Sequence, residues 1–356
     1  MCGQRIPGGT KRRHEKKIKE LLEEIEEVNR QENSEYGEKD LEELGEGSTI
    51  TSEKLKEQIE KLNTIIDRSK PKNKALHELQ SKLLPKLEEY EKQEQRLADR
   101  NSYSKTDVDA TFFRMKNDQL LPAYNVIIGT EHQFIVNYSI HQKASEADQF
   151  IRHFSKFTTP PWAGILPQAV IGDAAYGSEE NYAFVEKHGL GNYLKYNTYH
   201  REKTKKHRDN LFHKDKFLYD NLTDIYRCPE GRELTLKKIG KQLTANAYEQ
   251  EIRIYESVNC QGCPVAEHCK KGIGNRTITV NPRLERYKAQ ARANLESDTG
   301  KALRKQRGVD VESVFGDIKM NQAYTTFRLR GREKVNLEFG LLRMAHNIKK
   351  MALTIH

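Results

Sequence analysis

Three acidic residues have the types and settings to do chemistry together: Asp107 in TDVDATFFRMK, Asp173 in AVIGDAAYGSEEN and Glu312 in DVESVFGDIK. Carboxylates are hard oxygen ligands. Three of them, completed by water and a phosphate, can hold a pair of Mg²⁺ ions, one activating an attacking hydroxyl and the other steadying a leaving oxygen. The chemistry this points to is the cutting and joining of phosphodiesters. Asp107 and Asp173 are expected at strand ends, where a sheet fixes them, and Glu312 on a helix. Asp109 is the alternative to Asp107. On a regular helix Lys319, seven residues after Glu312, and Arg304, eight before it, share the glutamate's face and can hold a phosphate. Phe315 and Ile318 form the apolar side that docks this helix.

A second constellation is sulphur-based. Cys260, Cys263 and Cys269 have the spacing C-x2-C-x5-C, and Cys228 stands upstream beside Pro229 and Gly231. Four thiolates from two loops would satisfy a structural, tetrahedral Zn²⁺; the alternative is a set of reduced cysteines in a small core. His268 is read as exposed and Cys2 as a free thiol. Basic runs obey the same logic of charge. Tyr193, Lys195, Tyr196, Tyr199, Arg201, Lys203, Lys205, Lys206 and Arg208 interleave cations with rings, and Arg328, Arg330 and Arg332 form another run. Cations neutralise phosphates and rings stack on exposed bases, while a solvated loop is the plainer reading.

The elements that must position these residues are legible from periodicity. Ile18, Leu21, Leu22, Ile25 and Val28 make one helical stripe. Leu55, Ile59, Leu62 and Ile66 make a second, and Leu76, Leu79, Leu83, Leu87 and Tyr90 a third, interrupted at Pro85. A polar stretch from Gln31 to Ile50 and a turn around Pro71 join them. The stripes have three uses open to them: packing on each other, on a second copy in a homodimer, or along another part of the chain. After Asn101 the period shortens. YNVIIG and QFIVNYSI, flanking TEH, predict a hairpin; Ala144 to Phe157 predicts a helix opened by Ser145. Next, AVIG predicts a buried strand ending at Asp173, and Ser178 should cap a helix running to His188. Strand, hairpin, helix, strand, helix is the order a ribonuclease H-like core needs. Residues from Tyr199 to Pro282 read as a β-rich insertion holding ELTLKK, EIRIYES and RTITVN. Two helical stretches, Leu284 to Met320 and Glu333 to Ile355, close the chain, the second with Leu337, Leu341 and Leu342 on its apolar side and His346 and Asn347 as packing residues.

Totals bound the reading. The 356 residues carry 61 Lys and Arg against 52 Asp and Glu, a net charge of +9 that favours a polyanionic partner. No apolar run is long enough to span a bilayer and the N-terminus lacks the apolar centre of a signal peptide, so a cytoplasmic protein without a membrane partner is expected. Five cysteines, four of them in residues 228–269, argue against a disulfide framework.

The segments TDVDATFFRMK, PAYNVIIGTE, GDAAYGSEENY, YRCPEGRELTL, CQGCPVAEHC, GNRTITVNP, VESVFGDIK and FRLRGREKVNLEFGLLRMAHNIKK resemble, in order, successive blocks of DDE transposases from bacterial insertion sequences, the subgroup with a cysteine-containing insertion. The resemblance implies an α/β fold: a ribonuclease H-like mixed sheet with flanking helices, preceded by long amphipathic helices and interrupted by a β-rich insertion. Its parts are residues 1–100, helical and coiled-coil-like; 101–198, the first part of the catalytic domain; 199–282, the insertion; and 283–356, the helical part carrying the glutamate. It implies two Mg²⁺ or Mn²⁺ ions on Asp107, Asp173 and Glu312, and double-stranded DNA, both transposon ends and target, as partner in a nucleoid-associated location. Asp107 is preferred to Asp109 because it comes directly after Thr106, as the family aspartate does. Lys319 matches a lysine that contacts DNA phosphate, and Arg304, Arg328, Arg330, Lys205 and Lys206 are further DNA-binding candidates. Ala175 and Leu303 depart from the family's usual glycine and tyrosine, and MNQAYTTFRLRG replaces a more basic block. The chain reads as N-terminally shortened. A nuclease that cuts without joining and an inactive DNA-binding remnant are the rival readings.

Overall fold

The computed structural model describes residues 8–33, 50–65, 70–98, 100–115, 117–143, 145–158, 165–270 and 272–355. Cys2, Ile66 and most of the polar 31–50 stretch lie outside them, as do the side chains of Ile25, Val28 and Pro71. The chain is mixed α/β and forms two compact units, Met1–Tyr124 with Arg330–Arg332, and Asn125–Leu329 with Glu333–His356.

In the first unit, α1 (Gly8–Asn33), α2 (Ser52–Ile65), α3 (Lys70–Glu78) and α4 (Leu84–Leu97) realise the helical stripes. Ile18, Leu22, Leu55, Ile59, Leu62, Leu76, Leu79, Leu83 and Leu87 form one buried core, so the stripes pack on each other. Pro85 does not break the helix. A π-turn, Leu79–Leu83, joins α3 to α4 and puts Pro85 in the first turn of α4, where a missing N–H costs least. The unit ends in a small antiparallel ladder of β1 (Thr111–Arg114) and β2 (Leu120–Ala123).

The second unit opens with the expected hairpin, β3 (Asn125–Glu131) and β4 (Phe134–His141). Its two turn residues, His132 and Gln133, both have positive φ, the geometry that matches a tight turn to strand twist. Helix α5 (Phe150–Thr158) comes after a 3₁₀ turn at Ala147–Gln149, so the helix starts later than Ser145, which does not cap it. Next, β5 (Ala169–Gly172), α6 (Glu179–Lys187) and β6 (Gly191–Leu194) make a βαβ unit with β5 and β6 parallel. Ser178 caps α6 as expected, its hydroxyl accepting from the Asn181 N–H at 3.2 Å.

After the short α7 (Lys205–Arg208) comes an antiparallel sheet of β7 (Leu218–Asp220), β8 (Ile225–Arg227), β9 (Glu233–Leu243), β10 (Glu249–Ser257) and β11 (Thr277–Val280), in spatial order β11-β10-β9-β8-β7, with α8 (Ala266–Cys269) before β11. The single mixed sheet expected of the strands before this insertion is realised as separate two-stranded ladders among the described residues; β3 pairs with β4 and β5 with β6, but no ladder joins the two pairs. The expected Leu284–Met320 helix is divided. Ser297 ends α9 (Pro282–Glu296) and caps α10 (Asp298–Arg307), its hydroxyl accepting from the Gly300 N–H at 3.0 Å. The chain continues through a π-turn at Gly308–Glu312, α11 (Ser313–Gly316) and a second π-turn at Asp317–Asn321. Last is α12 (Arg332–Ile355), whose buried residues are Val335, Phe339 and His346, whereas Leu337 and Leu341 are exposed. His346 and Asn347 bind the hairpin backbone at Gln133 and Ile135, the packing role expected of them.

Among the described residues, no helix is long and apolar enough to cross a membrane.

Candidate active site and metal centres

Asp173 comes directly after the last residue of β5, and Lys195 directly after the last residue of β6, and the final pair of that ladder is Gly172 with Leu194. Parallel pairing therefore brings both to the carboxyl ends of neighbouring strands, where α/β proteins place ligands. Lys195 Nζ lies 3.7 Å from Asp173 Oδ1, and Arg307 at the end of α10 reaches Oδ2 at 3.3 Å. The carboxylate is half-exposed at 54 %, while the two cations are only 14 % and 17 % exposed. One carboxylate thus faces two largely buried cations, leaving an excess of positive charge beside open solvent. Gly177 permits the close turn: a Cβ there would lie 2.4 Å from the Lys195 carbonyl oxygen.

Glu312 is the last residue of the first π-turn, exposed, and without a hydrogen bond or ion pair among the described residues. Each π-turn shifts the i→i+4 ladder by a residue and rotates the next stretch of helix, so the seven-residue spacing does not hold Lys319 strictly on the glutamate's face. Lys319 is exposed and rests over the Phe315 ring at 5.2 Å. Arg304, on the other side of the first π-turn, lies over Tyr199 at 5.8 Å. Ile318 and Val314 are buried with Ile135 of the hairpin, which anchors this helix as expected of its apolar side.

Asp107 belongs to the first unit and stands in a turn before β1 rather than at a strand end. The reason is local. Its Oδ1 accepts from the Asp109 N–H at 3.2 Å, an Asx-type turn, and buried Arg100 donates to the carbonyls of Val108 and Asp109, each at 2.9 Å. The backbone groups of this segment are satisfied without a ladder. Oδ2 accepts from the Tyr124 hydroxyl at 2.8 Å and Oδ1 also from the Gly331 N–H at 3.2 Å. Asp109 Oδ2 accepts from the Arg332 N–H at 3.0 Å. Burial first, and then the bond to Asp107, pushes the Tyr124 phenol well above its ordinary range.

Cys228, Cys260, Cys263 and Cys269 line one cavity of about 20 Å³, with Arg232, Arg276 and Lys270 also on its wall. That is room for one water-sized occupant, and the soft donor set fits Zn²⁺. Among the described residues no three of the sulphurs lie within 4.8 Å of one another, wider than a closed thiolate cage. The Arg276 N–H donates to Cys260 Sγ at 3.2 Å. Burial pushes the Cys260 thiol up, but that N–H, the Ser257 hydroxyl and the charges of Lys270 and Arg232 outweigh it, and the net shift is downward. Cys269 moves upward, chiefly by burial. His268 is exposed, as expected.

The structure corrects the reading of the basic run after β6. Tyr196 and Tyr199 are fully buried in the core with Tyr182, Leu194, Tyr287 and Leu295, and Tyr193 packs against that cluster, so these rings are not platforms for bases. Alternation along the run is a buried/exposed pattern: rings inward, Arg201, Lys203, Lys205 and Lys206 outward. Arg328 and Arg330 are exposed, and Glu338 holds the loop by accepting from the Arg328 and Leu329 N–H groups at 2.8 and 2.9 Å. Sequence reasoning passes over Arg307; its signal is the basic last turn of α10, which ends opposite Asp173.

Residues 227–352 match the family model described as a transposase DDE domain. The match takes in the four cysteines, Arg304, Glu312, Lys319, Arg328 and Arg330. Neither a search of curated proteins nor one of solved structures returned a match.

Proposed function

We propose that the chain is a DDE transposase that cuts DNA and transfers strands at transposon ends. The similarity of residues 227–352 to a transposase DDE domain carries the reading. In it, the β3–β4 hairpin, the βαβ unit and the Glu312 helix belong to a ribonuclease H-like catalytic domain, and Asp107, Asp173 and Glu312 are the acids of a bacterial insertion-sequence enzyme. Two Mg²⁺ or Mn²⁺ ions would be held by those three carboxylates and would supply Lewis-acid activation of the attacking and leaving oxygens. Hard oxygen donors, two of them open to solvent, fit such ions in kind.

The chain's own residues supply the rest. Lys195 and Arg307 orient the Asp173 carboxylate at the strand ends, and their surplus charge attracts a DNA phosphate to that edge. Arg304 and Lys319, braced over Tyr199 and Phe315, add phosphate contacts from the Glu312 helix. Exposed Lys205, Lys206, Arg328 and Arg330 extend the basic surface along double-stranded DNA, and a structural Zn²⁺ on the four cysteines would brace the insertion. A homodimer of the helical unit and a place at the nucleoid in the cytoplasm are further parts of this reading.

The test is nicking of supercoiled plasmid and joining of a pre-cut end, with and without Mg²⁺, for the wild type and Asp173→Ala. Nicking and joining that vanish in the variant support the proposal. Nicking without joining supports the nuclease reading, and DNA binding with no cutting in Mg²⁺ supports an inactive remnant.

A further inference from the structure

His207, His213 and Asp215 are the three-ligand group whose donor atoms all lie within 4.8 Å of one another among the described residues. From this we infer a binding site for a divalent transition ion of the zinc class, separate from the acids and the cysteines and independent of the proposed activity. His213 Nδ1 is 3.1 Å from Asp215 Oδ2, and His207 Nε2 is 3.5 Å from the same oxygen. Metal–ligand distances near 2.0–2.2 Å in a tetrahedral site put neighbouring donors about 3.3 Å apart, between the two observed values. The two imidazole rings lie 4.7 Å apart at 59°, converging on the carboxylate without stacking.

The state of His207 separates a metal site from an ordinary ion pair. Its ring is nine-tenths buried, and neither ring nitrogen has a hydrogen-bond partner among the described residues; even the 3.5 Å approach to Asp215 lacks hydrogen-bond geometry. Buried polar groups are nearly always satisfied. At His213, Nδ1 accepts from the Asp215 N–H at 3.5 Å while facing the Asp215 carboxylate. Two lone-pair atoms 3.1 Å apart repel unless a proton or a cation lies between them. A proton on His213 would relieve that pair alone and leave both His207 nitrogens without a partner; one cation would engage His207 Nε2 together with His213 Nδ1 and Asp215 Oδ2.

Two imidazoles and one carboxylate suit zinc and its neighbours, not the all-oxygen preference of Mg²⁺ or Ca²⁺. Three protein ligands leave a further position for water. The site's place in the fold indicates a clip: His207 lies in α7 with Lys205 and Lys206, while His213 and Asp215 lie in the turn before β7. A bound ion ties the exposed lysines to the start of the five-stranded sheet.

The experiment is a titration of the full chain with Co²⁺, a spectroscopic stand-in for zinc, comparing wild type with His213→Asn and Asp215→Asn. Circular dichroism verifies that each variant is folded, and His213 is partly exposed, so its replacement should be tolerated. The expected result is that His213→Asn binds one equivalent less than wild type. The lost spectrum should show d–d bands without sulphur-to-cobalt charge transfer, which marks it as distinct from the cysteines. Equal stoichiometry in folded His213→Asn, a lost component carrying sulphur bands, or a wild type that binds no Co²⁺ would overturn the site.

Discussion

Asp107 accepts the Gly331 N–H at 3.2 Å across 224 residues of chain, and Gly331 has φ +87°, a conformation costly to any residue with a Cβ. A Cβ at 331 would meet Asp109 Oδ2 at an ordinary 3.7 Å, so there is room for it and only the backbone resists. Gly331→Ala should therefore lower stability by about 1–2 kcal/mol through strain alone. Tyr124→Phe, which removes a donor from Asp107 Oδ2, should cost about 1 kcal/mol. Urea midpoints that shift with unchanged slope would bear this out; a Gly331→Ala protein as stable as wild type would show that the turn is not held as described.

Asp173 is half-exposed and its cations are not, so the pair's stability contribution is small, about 0–1 kcal/mol, while its electrostatic role is large. Asp173→Asn should leave the thermal midpoint nearly unchanged while abolishing the metal-dependent cutting proposed above. Arg307→Gln should weaken binding to DNA and flatten its salt dependence by about one phosphate contact. A variant that binds DNA with the wild-type salt slope would remove Arg307 from the phosphate path.

What could be read in advance depended on how local each cause is. Ser178 capping α6, the β3–β4 hairpin and the helical stripes of the first unit arise from residues within a few positions of each other; that the stripes pack on one another, from Ile18 to Leu87, does not. Asp173 was legible because AVIG is a short buried strand that has to end at it. The setting of Asp107 was not: a strand end is expected and a turn is found, because it depends on Arg100, Tyr124 and a glycine 224 residues away. The π-turns flanking α11 leave no mark in the apolar periodicity of the sequence. His207 was hidden inside a run read for its charge; the spacing His-x5-His-x-Asp was the available signal.

Burial, with His141 and Lys156 adding to it, pulls His153 down to about 3 from the ordinary 6.5. The ring sits neutral between Asn137, whose Nδ2 is 3.4 Å from Nε2, and Ser139, whose hydroxyl is 2.8 Å from Nδ1. Between those two pH values the unfolded chain holds the extra proton, so stability is full above about pH 6.5 and is lost as pH falls toward about 3. The expected loss from this group between about pH 7 and about pH 5 is about 2 kcal/mol. Urea titrations at both values should show it in wild type, and His153→Gln should flatten the difference; an equal pH dependence in the variant would assign the effect elsewhere.

Cys260 and Cys269 line the same cavity with opposite shifts, Cys260 down and Cys269 up. Thiolate is the reactive form, so iodoacetamide at neutral pH should modify Cys260 several times faster than Cys269, read by mass spectrometry of the peptides. Arg276 is the main lever, because its N–H points at Cys260 Sγ and its charge faces Cys269 as well. Added Zn²⁺ should protect all four cysteines together if they close on one ion, and a chelator should restore the original order of reactivity. Protection of Cys260 alone would mean that the metal meets a single thiolate, and the four-cysteine centre would then be ruled out.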